Sequence, residues 1–183
     1  TLIMQRHEDP GVAALRSFVA SLALYRSFVE VTGQADAFAL KWPNDVLVNG
    51  QKISGILLES GTTNDVLWVA VGVGINLSTA PTDTQTQATC LARYTDTPAV
   101  KAVLPILIER FEYWRRLYAF EGFAPLRDAW LERAQGMGGS VTARLPKQTI
   151  TGVALGMDMD GALEIKTEQD RIIKIHAGDV FFG

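Results

Sequence analysis

Apolar and polar residues follow a helical period in the first part of the chain. From Val12 to about Thr32, apolar residues recur at steps of three and four, which predicts a helix with one apolar face on a sheet. Gly33 follows this stretch and is placed to end the helix as a left-handed cap. The short apolar run Thr1–Gln5 before the helix is consistent with a buried strand.

The next segment has the apolar runs of a sheet. Four strands are predicted here: Phe38–Trp42, Val46–Val48, Lys52–Glu59 and Val66–Val73. Asn49-Gly50 lies between the second and third strands, and an Asn-Gly pair between apolar runs is the strongest short hairpin signal. A second turn is predicted at Gly61–Asp65. The last strand is apolar throughout, which favours a central position in an antiparallel meander packed against the first helix.

Two further helices are predicted after this sheet. Thr97-Pro98 has the order of a helix cap followed by a proline, and it opens the first of them. Pro105 is expected to kink this helix unless the helix begins later. Ala124-Pro125 opens the second helix, which is predicted to end near Gln135.

A glycine-rich segment, Gly136–Gly139, separates the helices from a region of short strands. It predicts two domains, residues 1–136 and 137–183. The predicted strands of the second domain are Ser140–Leu145, Thr149–Met157, Ala162–Lys166 and Arg171–His176, with turns at Asp160-Gly161 and Gly178-Asp179. Short strands at this spacing indicate a small β-barrel. The predicted fold class is α+β, a mixed or antiparallel sheet packed with helices and followed by that barrel.

Composition narrows the classes of protein that fit this pattern. The chain has 183 residues, 48% of them hydrophobic and 20% charged, which excludes intrinsic disorder. Its net charge of −3 argues against a nucleic-acid-binding module. The single cysteine, Cys90, cannot form an internal disulfide, and no apolar run reaches the ~18 to 20 residues of a membrane span. We therefore expect a cytoplasmic protein with no nucleic-acid or membrane partner.

The densest group of chemically active residues lies on the predicted hairpin. Lys41-Trp42-Pro43-Asn44-Asp45 lies before its Asn49-Gly50 turn, and Lys52 and Gly55 lie after that turn. The hairpin brings Lys52 towards Asn44 and Asp45, and such a polar cluster beside apolar strands suits a carboxylate or phosphate ligand. Gly55 is expected to let a ligand approach the backbone. The alternative is that these are solvated hairpin charges with no ligand.

Three pieces of the sequence carry a more specific pattern. They are Lys41-Trp42-Pro43-Asn44-Asp45, Gly50-x-Lys52-x-x-Gly55-Ile56-Leu57-x-Glu59 and Val71-Gly72-Val73-Gly74-Ile75-Asn76-Leu77. In order and spacing they resemble the biotin protein ligase family. The glycines of the third piece lack the third glycine and the following helix of a dinucleotide-binding loop. Ala88-Thr89-Cys90-Leu91 is similar to the family's Ala-Thr-Ser-Leu, and the segment from Gly152 to Val180 looks like its C-terminal SH3-like barrel.

The resemblance implies a two-step acyl transfer. The carboxylate of biotin attacks the α-phosphate of ATP to give biotinyl-5′-AMP, and a lysine of a biotin carboxyl carrier domain then takes the biotin as an amide. ATP, Mg²⁺ and biotin are the implied small molecules, and the carrier domain of a carboxylase is the implied partner. A homodimer formed through a sheet edge is common in such folds.

The resemblance also assigns roles to individual residues. Lys52 is the implied cation on the biotin carboxylate and the α-phosphate oxygens, and Asp45 orients or deprotonates the acceptor lysine. The implied substrate- and nucleotide-binding residues are Lys41, Trp42, Asn44, Gly55, Ile56, Asn76 and Thr89. Among these, Trp42, Gly55 and Ile56 belong to the biotin side, and Asn76 and Thr89 to the nucleotide side. Asn44 holds the adenylate or a metal-bound water. His7, His176 and Cys90 fit no metal-ligand or thiol-chemistry pattern, so no metal site is predicted.

Two family elements are expected before Thr1: a Gly/Arg-rich loop that closes over the adenylate, and a Ser-Thr-Asn segment that binds biotin. The resemblance implies roughly 60 to 80 residues upstream, and so a chain that is a fragment with weak activity of its own. It implies no DNA-binding domain. Two alternatives stay open: a lipoate ligase or octanoyltransferase on the same core fold, and a non-catalytic module that binds biotin or the carrier.

Overall fold

A computed structural model describes residues 2–6, 14–64, 66–83, 86–96 and 99–183. Within these ranges the chain forms ten strands and three α-helices. The strands are β1 (Leu2–Arg6), β2 (Phe38–Lys41), β3 (Asp45–Val48), β4 (Gln51–Thr63), β5 (Val66–Ile75), β6 (Ser140–Arg144), β7 (Thr149–Met157), β8 (Leu163–Lys166), β9 (Ile172–Ile175) and β10 (Asp179–Phe182). The helices are α1 (Arg16–Thr32), α2 (Val100–Glu121) and α3 (Ala124–Leu131).

The first five strands form one antiparallel sheet in the order β1-β5-β4-β3-β2. The predicted meander is therefore confirmed, with β1 added beside β5. Asn49 and Gly50 have φ values of 48° and 76°, the left-handed pair that a tight hairpin between twisted strands needs. As predicted, β5 lies inside the sheet rather than at its edge, and β4 is the middle strand of the five.

The prediction that the turn after β4 begins at Gly61 is wrong. The strand β4 continues to Thr63, and Gly61 is paired in register with Trp68 on β5. A Cβ on Gly61 would lie 2.6 Å from Trp68 Cζ2, so the glycine leaves room for the indole ring rather than for a turn. The predicted turn residue Asp65 lies outside the described residues.

The helix α1 is buried on nearly all sides, whereas the sequence predicted one apolar face. Twelve of its 17 residues are buried, because α1 packs against the first sheet on one side and against α2 and α3 on the other. Its buried serine hydroxyls keep hydrogen-bond partners because they donate to backbone carbonyls of the helix. Ser21 donates to Phe18 O at 3.1 Å, and Ser27 donates to Ala23 O at 2.7 Å. The predicted cap is confirmed, since Gly33 N–H donates to Val29 O at φ 71°.

The helix α3 ends at Leu131, four residues before the predicted end. The backbone beyond it pairs with the edge of the first sheet instead, because Leu40 N–H donates to Arg133 O and Gln135 N–H donates to Leu40 O. Pro105 lies inside α2, which begins at Val100. The predicted cap residues Thr97 and Pro98 lie outside the described residues.

The C-terminal strands form a second antiparallel sheet in the order β10-β6-β7-β8-β9. The predicted β6, β7, β8 and β9 are confirmed, whereas β10 begins at Asp179, which was predicted as part of a turn. This pairing places β9 and β10 at the two edges of a five-stranded sheet, and the predicted barrel stays a prediction.

The two sheets share one hydrophobic core. Val141, Ala143 and Ile150 of the second sheet belong to the same buried cluster as α1 and the first sheet. Arg127 of α3 donates from Nε to Met157 O, and Trp42 beside β2 donates from its indole N–H to Gly161 O at 3.0 Å. In the described part of the chain, no helix is long and apolar enough to cross a membrane.

Candidate active site

The segment Lys41–Asp45 links β2 to β3 at the end of the hairpin nearest the second sheet. Lys41 and Asp45 face each other in register, and the Trp42–Pro43 peptide bond between them is cis. Ile56 N–H donates to Asn44 O and Asp45 pairs with Gly55, so this segment lies against β4. The structure thereby brings the Lys-Trp-Pro-Asn-Asp piece next to Lys52 and Gly55, as the sequence predicted.

An ion pair between Lys52 and Asp45 forms the centre of this site. Lys52 Nζ lies 2.5 Å from Asp45 Oδ1, with the lysine side chain 38% exposed and the aspartate 16% exposed. Gly55 lies opposite Asp45 in the register of β3 and β4. A Cβ there would lie 3.2 Å from Lys52 Nζ and 3.4 Å from Asp45 Oδ1, so the missing side chain leaves space for the ion pair. This use of Gly55 was not predicted.

Asn44 fastens the connection to β4 through both its backbone and its side chain. Its Nδ2 donates to Ile56 O at 2.5 Å, and Ile56 N–H donates to Asn44 O at 3.1 Å. The Nδ2 donor of Asn44 is therefore engaged within the protein. Ile56 is itself buried, so a ligand on this strand meets backbone or Gly55 rather than the Ile56 side chain.

Asn76 and Thr89 lie on the other side of Lys52. Lys52 N–H donates to Gln87 O at 2.8 Å, and Thr89 N–H donates to Lys52 O at 2.9 Å, so the segment beside Thr89 is paired with the start of β4. Asn76 Nδ2 donates to Thr89 O at 3.0 Å. Thr89 is fully buried, and its hydroxyl has no hydrogen-bond partner among the described residues.

Two cavities meet at Lys52. One, of about 390 Å³, is lined by Lys52, Ser54, Gly55, Gly74, Asn76, Pro81, Thr86 and Ala88. The other, of about 680 Å³, lies between the Lys41–Asp45 segment and the second sheet and includes both Lys52 and Asp45 in its wall. The Lys52 ammonium is thus accessible from two sides, with the Asp45 carboxylate facing one of them. Such a group can neutralise an anion in one cavity while a second reactant enters through the other.

Comparisons with known proteins identify the family of the chain. Residues 3–76 match the biotin/lipoate A/B protein ligase family, and residues 137–183 match the biotin protein ligase C-terminal domain. A biotin–[acetyl-CoA-carboxylase] ligase of Paracoccus denitrificans is 38% identical over the whole chain, which covers 79% of that relative. The chain belongs to the biotin protein ligase family. The predictions of this family, and of an enzyme, are confirmed.

Two further relatives show the extent of the likeness. The bifunctional ligase/repressor BirA of Bacillus subtilis is 34% identical over 91% of the chain, which spans about half (52%) of that relative's length. A biotin protein ligase from Aquifex aeolicus, solved in complex with biotin and ATP, is 25% identical with a TM-score of 0.78. That comparison covers all of the chain and 78% of the solved one. The α+β fold of this family is confirmed by the match.

The second sheet adds residues to the site of this ligase that the sequence did not single out. Arg144 Cζ lies 4.7 Å from the centroid of the Phe181 ring, and Lys41 Nζ lies 5.7 Å from the same centroid. All three side chains line the 680 Å³ cavity. The resemblance of Gly178-Asp179-Val180 to the family was the one sequence signal near Phe181. Arg144 had no signal, because more than ninety residues separate it from Lys52.

Trp42, which the resemblance assigns to the biotin side, is buried in the structure. It is 1% exposed, and its indole N–H donates a hydrogen bond to Gly161 O. Its ring borders the 680 Å³ cavity and a third cavity of about 790 Å³ that Phe18, Leu57 and His176 also line. In the described ranges, no group of three or more His, Cys, Asp and Glu side chains is placed to hold a metal ion.

Proposed function

We propose that this ligase forms biotinyl-5′-AMP from biotin and ATP and transfers biotin to a lysine of a biotin carboxyl carrier domain. The observation that carries the proposal is the Lys52–Asp45 ion pair at the junction of two cavities. The chemistry needs a cation where two anions meet and a base where an amine enters. The junction supplies both groups at one place.

The first step brings two anions together. The biotin carboxylate oxygen forms a bond to the α-phosphorus of ATP, and the bond to the pyrophosphate oxygen breaks. Lys52 Nζ is proposed to neutralise the biotin carboxylate as it approaches and to stabilise the negative charge on the α-phosphate oxygens in the transition state. Leaving its pair with Asp45 costs Lys52 little, because that pair is partly exposed to water.

The second step brings an amine to the adenylate. The acceptor lysine attacks the biotin carbonyl carbon, the bond to the phosphate oxygen breaks, and AMP leaves. Asp45 is proposed to orient this amine and accept its proton, since its carboxylate faces the 680 Å³ cavity. We propose that the carrier lysine enters through this cavity, which also contains the cation Lys41.

The 390 Å³ cavity is proposed to hold the adenylate. Its glycine positions, Gly55 and Gly74, allow a ligand to approach the backbone, and Asn76 offers its side-chain oxygen because its Nδ2 is bonded to Thr89 O. Thr89 is proposed to act through that bond, since its own side chain is buried. Gly55 and Ile56 are proposed to pass the biotin chain along their backbone, with Trp42 behind it. Asn44 lines the 680 Å³ cavity and is proposed to meet the adenylate from that side with its side-chain oxygen.

Mg²⁺ is proposed as the counterion that ATP carries rather than as a metal bound by a protein cage. Lys52 already engages the Asp45 carboxylate, Asp179 lines the same cavity, and the described residues include no group of three or more metal-ligating side chains. Because Mg²⁺ in such sites is often held mainly by substrate phosphates and water, this donor set is compatible with ATP bringing the ion. No step of the proposed chemistry depends on a protein ligand to the metal.

Three broader statements are also proposals. Residues 1–136 and 137–183 are proposed as a catalytic core and an SH3-like domain. A homodimer is proposed through β4, because its pairing with β3 ends at Gly55 and, among the described residues, no other strand pairs with that edge farther along. The cytoplasm is proposed as the compartment because the reaction uses ATP.

The test of the function is a pair of assays on the same protein. With biotin and ATP, we expect pyrophosphate release, and with a biotin carboxyl carrier domain added, a mass increase on one lysine. Lipoate and octanoate serve as competing acids. Adenylation of lipoate rather than biotin would favour the lipoate ligase alternative, and biotin binding without pyrophosphate release would favour a non-catalytic module.

A further inference from the structure

A hydrogen bond joins the two sheets beside the candidate active site. The indole N–H of Trp42 donates to Gly161 O at 3.0 Å across 119 positions of sequence. Trp42 is 1% exposed, so this donor has no access to water and its bond is expensive to lose. Its carbonyl partner belongs to the turn between β7 and β8, on the second sheet.

The acceptor is held in place by Asp158. Asp158 Oδ1 accepts the backbone N–H groups of Asp160 and Ala162, each at 2.9 Å, and Asp158 Oδ2 lies 3.0 Å from Lys174 Nζ. These bonds close the turn around Gly161, which has a φ of 80°. The turn therefore has a defined shape set by one carboxylate.

The turn also has no room to move towards α1. A Cβ on Gly161 would lie 2.7 Å from Phe18 Cε2 and 2.9 Å from Leu15 Cδ2. The Gly161 backbone is thus packed directly on the start of the buried helix. The carbonyl that Trp42 uses is fixed from two sides, by the Asp158 bonds and by this packing.

The donor side of the bond leads straight to the ion pair. Trp42 precedes Pro43, Asn44 and Asp45, and Asn44 is bonded to Ile56 on β4. Trp42 and Asp45 thus lie three residues apart on one short connection between β2 and β3. A displacement of about 1 Å at a reacting group is enough to cost on the order of a hundredfold in rate.

We propose that the Asp158–Gly161 turn is a positioning element that holds Trp42 and, through it, the Asp45–Lys52 pair in the geometry that biotin transfer needs. Trp42 and Asp158 are then positioning residues for the proposed ligase reaction, on which this inference rests. The bond couples the C-terminal sheet to a site whose reactive groups all lie on the first sheet. A purely stabilising role is the competing explanation.

A spectroscopic experiment tests the coupling without any enzyme assay. The chain has four tryptophans, so ¹⁵N-indole labelling gives four N–H signals that Trp→Phe variants assign. In Asp158→Ala, we expect the Trp42 signal to move upfield as its acceptor is loosened. The Trp130 signal, whose N–H donates to Ser21 Oγ at 3.2 Å, should stay in place. An unmoved Trp42 signal in folded Asp158→Ala would overturn the inference even if the ligase function stands.

A kinetic experiment separates positioning from stability. Trp42→Phe and Trp130→Phe each remove one buried indole donor, so their losses of unfolding free energy should be similar. We expect single-turnover transfer of biotin from the adenylate to the carrier to slow about tenfold or more in Trp42→Phe, while Trp130→Phe keeps its rate at a temperature where both are folded. Asp158→Ala leaves the proposed biotin path intact, so its transfer should slow with KM for biotin changed less than about twofold. Equal transfer rates in Trp42→Phe and Trp130→Phe, or a loss in Asp158→Ala confined to KM, would contradict positioning.

Two further variants identify the path. Asp158→Asn keeps an oxygen for the two backbone N–H groups, so its transfer rate should lie near the wild-type rate while Asp158→Ala is slow. The double variant Trp42→Phe with Asp158→Ala should be no slower than the slower single variant, because both act through one bond. Additive losses, or an Asp158→Asn rate as low as that of Asp158→Ala, would show that Asp158 does not act through the hydrogen bond of Trp42.

Discussion

Lys52 and Asp45 form an ion pair whose value lies in chemistry more than in stability. A partly exposed pair of this kind contributes about 0 to 1 kcal/mol to folding. Both groups can therefore be replaced without unfolding the protein. Single substitutions can then measure what each residue contributes to the reaction rate.

The first prediction concerns Lys52. Lys52→Ala should reduce adenylate formation by about a hundredfold or more, because it removes the cation from two adjacent anions. Pyrophosphate release with saturating biotin and ATP measures this rate. Lys101→Ala, which removes an exposed lysine on α2, is the matched control and should keep the wild-type rate. A near-normal rate in Lys52→Ala would remove Lys52 from the mechanism.

The second prediction separates the two steps at Asp45. Asp45→Asn should still form adenylate, while single-turnover transfer to the carrier slows by about a hundredfold, since the amide cannot accept the lysine proton. Asp36→Asn, at an exposed aspartate before β2, is the control. Equal losses in adenylation and transfer would show that Asp45 is not specific to the amine.

Among the elements, β7 of the second sheet approaches the backbone of β8 closely at Gly152. A Cβ on Gly152 of β7 would lie 2.2 Å from Lys166 O and 2.9 Å from Ile165 Cγ2 on β8. The neighbouring backbone cannot yield as a flexible side chain can. Gly152 is therefore required by strand packing, with no positive φ involved.

The third prediction follows from that approach. Gly152→Ala should lower the free energy of unfolding by roughly 2 to 3 kcal/mol, because the added methyl group forces β7 and β8 apart. Urea denaturation measures the loss, and the exposed neighbour Thr151→Ala on the same strand is the control. A Gly152→Ala variant as stable as the control would show that the two strands separate at little cost.

The elements also show where pattern reasoning succeeds and where it stops. The Asn49-Gly50 hairpin and the Gly33 cap are local features with one low-energy geometry, so their prediction was correct. The extent of β4 and the end of α3 depended on partners far away in sequence. Gly61 faces Trp68, and Arg133 pairs with Leu40, and neither contact leaves a periodic signal.

The ionised Asp158 carboxylate, in the turn between β7 and β8, contributes to the stability of the whole molecule. Burial alone raises the pKa of the Asp158 carboxyl, but the ion pair with Lys174 and the N–H groups of Ala162 and Asp160 outweigh it, so its pKa lies below the ordinary value. The ionised form therefore favours the folded state. Its contribution is complete above the pKa of the unfolded chain and is lost as pH falls through the lower folded pKa.

The fourth prediction concerns how the stabilisation by Asp158 depends on pH. The stability difference between the wild type and Asp158→Asn should be largest near neutral pH and should shrink as pH falls into the acid range below the ordinary aspartate pKa. Urea unfolding at several pH values measures it. Asp36→Asn, an exposed aspartate, should show no comparable pH dependence in its difference from the wild type. A constant difference for Asp158→Asn would mean that its charge does not stabilise the fold.

The sequence by itself determined the family, the antiparallel meander and the proximity of Lys52 to Asp45, because all three follow from motifs and apolar runs that lie close together between Phe38 and Leu77. The tertiary structure decided what surrounds that pair. It placed Arg144 and Phe181 in the wall of the 680 Å³ cavity, buried α1 on nearly all sides and bonded Trp42 to Gly161. These features join segments that are distant in the sequence, and such contacts follow from shared core packing, which no local pattern of residues records.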